Sequence, residues 1–431
     1  QQIQTSGTFQ DPLFPAKQST LCDIKNGCFV LPPDGIPDDI EGWEQYTWAR
    51  AEEIFGKTSF EVFAEDDSRS GAIEDDDIIQ GTLGDCYFLS AIAALTSQPI
   101  YVQRLFYTTK KSPNGAYGVY YNINGEWKMV VVDDYFPCLD RRLSSRSVKK
   151  WVFSKANGDE LWVMMLEKAW AKINGNFARI GCGGQPHEVF EVATDAWSEA
   201  INLKKPKMDA RTGKAAMDDE FWEKLMRAQE QGFIMTAGTG CTDETEDMGL
   251  ATGHAYTVSR LYDFYPNDAN KRVRLVNIRN PWGSGEWRGD YCDKSRKWTD
   301  DIKRQLKDQK KADFEVKDDG EFFMTYEDFC HFYGSSGICH FGPKWYYITK
   351  KVSAQTSSDE DDGLPKRHFD RESGINYPAL TKVDVPETTP VYFRICQKNP
   401  RFELEDPEDS KHPDRHHKKG VLEYIMLLDE N

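Results

Sequence analysis

A cysteine sits where a glycine-punctuated loop turns into a helix-periodic apolar run, in the stretch Gln80-Gly81-Thr82-Leu83-Gly84-Asp85-Cys86-Tyr87-Phe88-Leu89. From Phe88 the apolar residues recur at Ala91, Ile92 and Leu95, the stripe of a helix with one face in a core. Cys86 is therefore predicted in the first turn of that helix. The position constrains chemistry as well as fold. Helix N-terminal amides favour thiolate over thiol, and the thiolate is the nucleophilic form. Gln80, upstream in the loop, carries an amide able to donate to an oxyanion forming beside the sulfur. A lone cysteine in such a place is more often a packing residue, so the reading depends on partners elsewhere in the chain.

Two later motifs supply them, Gly253-His254-Ala255-Tyr256 and Asn280-Pro281-Trp282-Gly283. Residues 255–264 and 272–279 read as strands on either side of the turn-rich YPNDANK. An antiparallel hairpin folded about Asp268 sets His254 opposite Trp282, two residues from Asn280, so His254 and Asn280 are expected to be neighbours. An imidazole held by an amide oxygen keeps the tautomer whose other nitrogen can exchange a proton with a thiol. Trp282 is placed to shield that bond from water. Each motif alone has a bland alternative: a satisfied histidine at a strand end, an Asn-Pro turn, a core tryptophan. Together, with cysteine, histidine and asparagine in papain-like order, they point to a thiol nucleophile with an imidazole base.

Composition bounds the rest. A chain of 431 residues with 39% hydrophobic and 13% aromatic content supports two to four domains with buried cores. With 54 basic and 71 acidic residues the net charge is -17, which repels phosphate backbones, so nucleic acid is not an expected partner. The ten cysteines show no CxxC pair and no disulfide rhythm, fitting a reducing, intracellular and cytoplasmic setting. No apolar run approaches a membrane span and no signal-peptide pattern opens the chain. Because it begins with Gln rather than Met, the chain is readable as a fragment, and a lost leader stays open.

On these motifs the chain resembles the protease core of a calpain. The matching stretches are QGTLGDCYFLSAIAAL around Cys86, ELWVMMLEKAWAKINGNF at 160–177, GHAYTV at 253–258, IRNPWGSGEW at 278–287 and DDGEFFMTYEDF at 318–329. The resemblance implies an α+β fold: a papain-like, two-lobed cysteine protease core, one lobe helical and one β-rich, followed by a partial β-sandwich. It gives Cys86 the role of nucleophile, His254 that of general base and acid, Asn280 that of orienting residue and Gln80 that of oxyanion donor. Trp282 matches the tryptophan that wedges between the halves of the cleft in calcium-free calpains. Tyr87 stands where many relatives carry tryptophan. Gly181-Cys182-Gly183-Gly184 resembles the Gly-Gly wall of the substrate cleft, with Gly183 and Gly184 letting a peptide backbone approach and Gly253 bordering the same cleft; a plain turn is the alternative.

The resemblance also implies calcium, a hard cation that takes six to eight oxygens. Asp77 and Glu160, with carbonyls near Ser70 and Ala72, match calpain ligands in the first half. Glu286, Asp293, Asp319 and Glu321, with the Lys317 carbonyl, match those in the second. A surface charge is the alternative for any one of these, and the register within Glu74-Asp75-Asp76-Asp77 stays open. No D-x-D-x-D-G loop with a trailing glutamate occurs, so no EF-hand is expected. His412, His416 and His417 lack a cysteine or carboxylate frame and read as a solvated loop, while Cys339-His340 reads as packing.

The expected organisation is an extended arm at 1–44 anchored by Phe9, Leu13 and Phe14; a mostly helical, cysteine-bearing lobe at 45–195, with core helices at 91–95 and 162–173 and a strand pair near 117–123 and 126–132; and a strand-rich lobe at 196–345 with one helix near 218–231 and both His254 and Asn280. A linker and partial β-sandwich follow at 346–431, including the acidic run at 358–362, a strand at 391–396 in PVYFRICQKNPR, and another at 422–428. The short final region suggests missing C-terminal domains or a regulatory subunit. The expected function is a calcium-regulated cysteine endopeptidase that cleaves protein substrates at exposed extended segments through an acyl-enzyme. A calpain-like binding scaffold whose activity is lost or unused is the main alternative. A transglutaminase-type acyl transferase is disfavoured by Asn280 where an aspartate is usual.

Overall fold

The two strands on either side of YPNDANK form at Ala255–Phe264 and Val273–Arg279, at the heart of a six-stranded antiparallel sheet. In spatial order its strands are Ser198–Asn202, Tyr333–Cys339, Ile234–Thr239, Ala255–Phe264, Val273–Arg279 and Glu321–Thr325. Thr257 pairs with Arg279 and Val258 with Ile278, the register of the symmetric hairpin, and a bulge between Val258 and Arg260 shifts the remainder by one residue. The end near His254 therefore keeps the expected pairing. This computed structural model describes residues 7–345 except 26–27, 31–39, 41, 65–72, 144–145, 204, 206, 209–214, 217, 266–271, 311–315 and 344, together with the strand pair His368–Phe369 and Asn376–Tyr377.

Both faces of the sheet are covered, so its central strands read as apolar runs rather than alternating ones. Tyr256, Val258 and Ile278 join a core with Trp222 and Leu225 of the helix Asp219–Glu230 and Phe329 of the helix Tyr326–Phe332. Ala255 faces the other way, into a larger core built on the helices Cys86–Leu95 and Trp162–Ile173. Every residue of Cys86–Leu95 after Cys86 is buried, as are Trp162 through Ala171. Phe88 stacks on Trp170 with ring centroids 5.6 Å apart, and Trp170 Nε1 donates to the Tyr87 hydroxyl at 3.1 Å. Tyr87 thus fills its site as an aromatic with a paired hydroxyl.

The first half differs from the helical expectation. Tyr135–Leu143 and Arg146–Trp151 form a hairpin that pairs with Thr47–Arg50 in a three-stranded sheet that pattern reading did not anticipate, whereas the expected strand pair forms, Ala116–Ile123 against Glu126–Asp133. The charges of Asp140-Arg141-Arg142 and Lys149-Lys150 dilute the apolar alternation of the first hairpin and hide it from pattern reading. In the second half, among the described residues, three helices accompany the expected one, at Asp243–Asp247, Asp300–Lys310 and Tyr326–Phe332. Asp300–Lys310 places only Ile302 and Leu306 in a core, one turn apart, too thin a stripe to read as a helix.

The N-terminal arm is held by Phe9 and Phe14, which are buried, whereas Leu13 is 82% exposed and anchors nothing. The Phe9 carbonyl accepts from Arg50 at 2.8 Å and its N–H donates to the Asn114 carbonyl at 2.7 Å. The arm is not wholly extended, since it contains the helix Gln18–Leu21 and the strand pair Asp23–Lys25 and Cys28–Val30. The strands expected at 391–396 and 422–428, the acidic run at 358–362 and His412, His416 and His417 lie outside the described residues. Among the described residues no helix is long and apolar enough to cross a membrane.

Candidate active site

Cys86 opens the helix Cys86–Leu95 and is partly buried. The loop before it passes so close to neighbouring backbone that a Cβ on Gly81 would lie 2.2 Å from the Phe153 carbonyl oxygen, so only glycine fits there. One turn into the helix, the Ser90 carbonyl accepts from Thr257 Oγ1 at 2.8 Å, which docks the helix on the strand that follows His254. Gln80 crosses to the other partner, its N–H donating to the Pro281 carbonyl at 3.0 Å. Its side-chain Nε2 donates to the Leu83 carbonyl at 2.6 Å, which orients the amide and leaves it a second proton.

His254 is clamped by Thr239, which accepts the His254 N–H on its hydroxyl at 3.0 Å and donates its own N–H to the His254 carbonyl at 2.9 Å. The imidazole Nε2 lies 2.9 Å from Asn280 Oδ1. Which atom donates follows from the rest of the network. Asn280 Oδ1 also accepts the Trp282 N–H at 3.1 Å, and Nδ2 donates to the Ser284 carbonyl at 2.9 Å. The amide oxygen therefore faces the ring, Nε2 carries the proton, and Nδ1 of the neutral imidazole keeps its lone pair. The Asn280 N–H donates to the Gly320 carbonyl at 2.8 Å, and the Gly283 N–H to the Asn280 carbonyl at 3.0 Å, closing the Asn-Pro-Trp-Gly turn.

Trp282 lies over the imidazole with ring centroids 4.6 Å apart and is itself 46% exposed. Tyr256 meets His254 edge-on at 4.8 Å and lies within electrostatic reach of the Cys86 sulfur. Burial lowers the His254 pKa to about 4, with the Asn280 hydrogen bond opposing the shift. The imidazole is thus neutral at pH 7. The linkage has a definite sign. Between about pH 6.5 and 4 the unfolded chain binds a proton that the folded chain refuses, so stability is full above that window and falls as pH falls through it, by about 3 kcal/mol at most. Urea melts at several pH values should show His254→Ala losing this component of the acid slope; an unchanged slope would mean that His254 is not buried as neutral imidazole.

Gly184 packs against the ring beside Cys86: an added Cβ would come 2.6 Å from Tyr87. Gly183 has a positive φ of 84° and open space on its Cβ side, and Gly253, at φ 56°, has only Cys241 Sγ within contact. The Cys339 thiol is fully buried and pushed up to about 12 by burial, while His340 stacks on Trp197 at 4.0 Å.

The two acidic groups lie on either side of this centre. Burial raises Asp77 to about 6 and Glu160 to about 7, and the charge of Asp77 also raises Glu160. On the other side burial raises Glu286 to about 8 and lifts Asp293, with Asp319 adding to both. Asp293 Oδ2 accepts the Lys317 N–H at 2.9 Å, Glu286 Oε1 the Gly320 N–H at 3.0 Å, and Asp319 Oδ1 the Glu321 N–H at 3.0 Å. Buried oxygens without a donor remain at Glu160 Oε2 and Glu286 Oε2. Such oxygens fit a hard cation, although among the described residues no three His, Cys, Asp or Glu side chains converge as a metal cage. The carbonyls near Ser70 and Ala72 lie outside the described residues.

Sequence reading missed Arg279. It is 2% exposed, and its guanidinium donates to the Asp75 carbonyl at 2.9 Å and the Asp319 carbonyl at 3.2 Å, spanning both acidic loops beside Asn280. Its only signal was a basic residue at the end of an otherwise apolar strand.

Comparison with known proteins gives the same direction. The calpain family cysteine protease profile matches residues 9–340. The calpain-type cysteine protease ADL1 of Oryza sativa subsp. japonica is 33% identical over 280 residues, 64% of this chain and 12% of that protein. Calpain-9 of Rattus norvegicus is 30% identical over 350 residues, 79% of this chain and 44% of the relative. The calpain-1 catalytic subunit of Mus musculus is 30% identical over 440 residues, 99% of this chain and 52% of the relative. The chain thus spans about half the length of these animal relatives and a smaller share of the plant one. Since the family profile takes in Cys86, His254 and Asn280 together, this chain belongs to the calpain family of cysteine proteases.

Proposed function

We propose that the chain is a calcium-regulated cysteine endopeptidase with a papain-like, two-lobed core, residues 45–195 forming the cysteine-bearing lobe and 196–345 the one with His254 and Asn280. The observation that carries the reading is the 2.9 Å bond between His254 Nε2 and Asn280 Oδ1, in a fold where the Cys86 helix docks on the strand beginning at Ala255. Asn280 holds the Nε2 proton, so the Nδ1 lone pair takes the proton of the Cys86 thiol. The thiolate attacks a peptide carbonyl, and the oxyanion is held by Gln80 Nε2 and the Cys86 N–H. His254 then returns the proton to the departing amine. Water, deprotonated by His254, hydrolyses the thioester and regenerates the thiol. Protein substrates would enter as extended segments past Gly183, Gly184 and Gly253, where small residues let a backbone approach.

Calcium, when bound, would neutralise the mutual repulsion of Asp77 with Glu160 and of Glu286, Asp293, Asp319 and Glu321, the Lys317 carbonyl completing the second set. The chain's own bonds give that binding a route to the centre. Gly320 joins Glu286 to the Asn280 N–H, and Arg279 joins Asp319 to Asp75. Trp282 over the imidazole suits a resting state, released as the two halves align. Further domains or a regulatory subunit would complete the enzyme, and the absence of a disulfide among the eight cysteines whose side chains are described suits a reducing cytoplasmic setting.

The test is burst release from a peptide ester, measured with calcium and with excess chelator. A stoichiometric burst that needs calcium is expected, together with a calcium-linked change in tryptophan fluorescence. A burst of equal size in chelator would remove the calcium switch, and no burst in either condition would leave a calpain-like scaffold.

A further inference from the structure

Asp85 stands at the N-cap of the helix Cys86–Leu95 but does not cap it, since its side chain bonds no amide of the first turn. The residue is 0% exposed, and neither carboxyl oxygen meets a protein donor. The group that acts on it is the carboxyl of Glu167, itself buried in the middle of the helix Trp162–Ile173, one turn before Trp170, which stacks on Phe88 and donates to the Tyr87 hydroxyl. Glu167 Oε1 accepts the Ser154 N–H at 3.0 Å. Two carboxylates are both acceptors, so a hydrogen bond between them needs a proton in it.

We propose that Asp85 and Glu167 form a carboxylic acid–carboxylate pair, Asp85 donating to Glu167, which positions Cys86 by tying the start of its helix to the buried helix Trp162–Ile173. The inference rests on Cys86 being the nucleophile. Burial lifts Asp85 well above the usual carboxylate range, and the charge of Glu167 lifts it further. Burial also raises Glu167 to about 7, against the opposing bonds from Ser154. Among the described residues no other charged group acts on either acid. Lys168, next along the helix, turns away to the Asp133 carboxylate and the Tyr135 carbonyl.

Two consequences bear on the thiol. An ionised aspartate at that N-cap would set a negative charge next to a forming thiolate and oppose it. Protonated Asp85 removes that charge and leaves the pair's anion on Glu167, where the Ser154 amide holds it. The Asp85 carbonyl also accepts the N–H groups of Phe88 and Leu89 at 2.8 and 3.1 Å. Fixing the Asp85 side chain therefore fixes the first turn that carries Cys86.

The test compares Asp85→Ala with Asp85→Asn, whose amide can donate to Glu167 as the acid does. Asp85→Ala should lower kcat about 10–100-fold with KM changed less than about twofold, and Asp85→Asn should restore most of that loss at pH 7. The pH profile separates this from plain packing. Both acids have pKa values raised on folding, so their stability contribution is present at low pH and lost as pH rises through about 7 and above, when two negative charges share one buried site. Wild-type Tm and kcat should fall over that alkaline range, and Asp85→Asn should flatten both. If Asp85→Ala does not fold, the comparison of wild type with Asp85→Asn decides. Equal kcat in the alanine and asparagine variants, or an alkaline fall that persists in Asp85→Asn, overturns the pair. Failure of low-dose iodoacetamide to label Cys86 ahead of the other thiols in the wild type would instead overturn the nucleophile.

Discussion

Cys86→Ser is expected to abolish peptide cleavage, lowering kcat by about four orders of magnitude or more, and to leave the fold intact. The base decides this outcome as much as the nucleophile does. Burial under Trp282 holds His254 near a pKa of about 4, so the imidazole is a weak base. It can serve a thiol, whose ionisation the helix start already favours, but not a serine hydroxyl that must be deprotonated outright. Serine is close in volume, so packing around Tyr87 and the helix core should survive, with an unchanged circular dichroism spectrum. Alkylation gives an independent reading. Burial pushes the thiols of Cys330 and Cys339 up to about 11 and 12 and raises that of Cys138, whereas Cys241, exposed among the described thiols, is a natural competitor of Cys86. Peptide mapping with Cys241 modified first and Cys86 inert, or full cleavage by Cys86→Ser, would remove Cys86 from the mechanism.

What sequence pattern could reach was local. The hairpin from Ala255 to Arg279 was legible because strand propensity, a seven-residue turn and antiparallel register together fix which residues face one another, and the bulge at Val258–Arg260 moves only the part distal to His254. The helix at Trp162–Ile173 was legible for a similar reason, being apolar for most of its length. Leu13 and Phe14 were not separable, because an arm with no period offers no rule for which of two adjacent apolar residues turns inward. Tyr135–Leu143 was hidden by charges on a strand whose stability comes from its neighbour at Thr47–Arg50. The buried acid Glu167 left a readable trace, a charge in the run WVMMLEKAWAK. Its partner was not readable, since Asp85 lies 82 residues away in sequence and only packing joins them. The same holds for Arg279, whose two carbonyl acceptors belong to loops at 75 and 319.

Asn280→Ala is expected to lower kcat by about one to three orders of magnitude with little change in KM, because it removes orientation rather than basicity or substrate contact. One side chain performs three tasks here. Its oxygen accepts from His254 Nε2 and from the Trp282 N–H, and its nitrogen donates to the Ser284 carbonyl. Without it the buried imidazole has no fixed acceptor, the tautomer with the proton on Nδ1 becomes accessible, and that tautomer cannot take a proton from the thiol. The Trp282 turn loses its internal bond at the same time, so water gains access to the ring. Asn280→Asp separates these effects. A carboxylate still accepts from both His254 and Trp282, which preserves orientation, but it loses the Ser284 bond and places a negative charge beside the imidazole. The His254 pKa should rise, moving the acid limb of kcat/KM to higher pH, while kcat recovers part of the alanine variant's loss. Wild-type turnover in Asn280→Ala, or an acid limb that does not move in Asn280→Asp, would show that His254 takes its orientation from Thr239 and Trp282 alone.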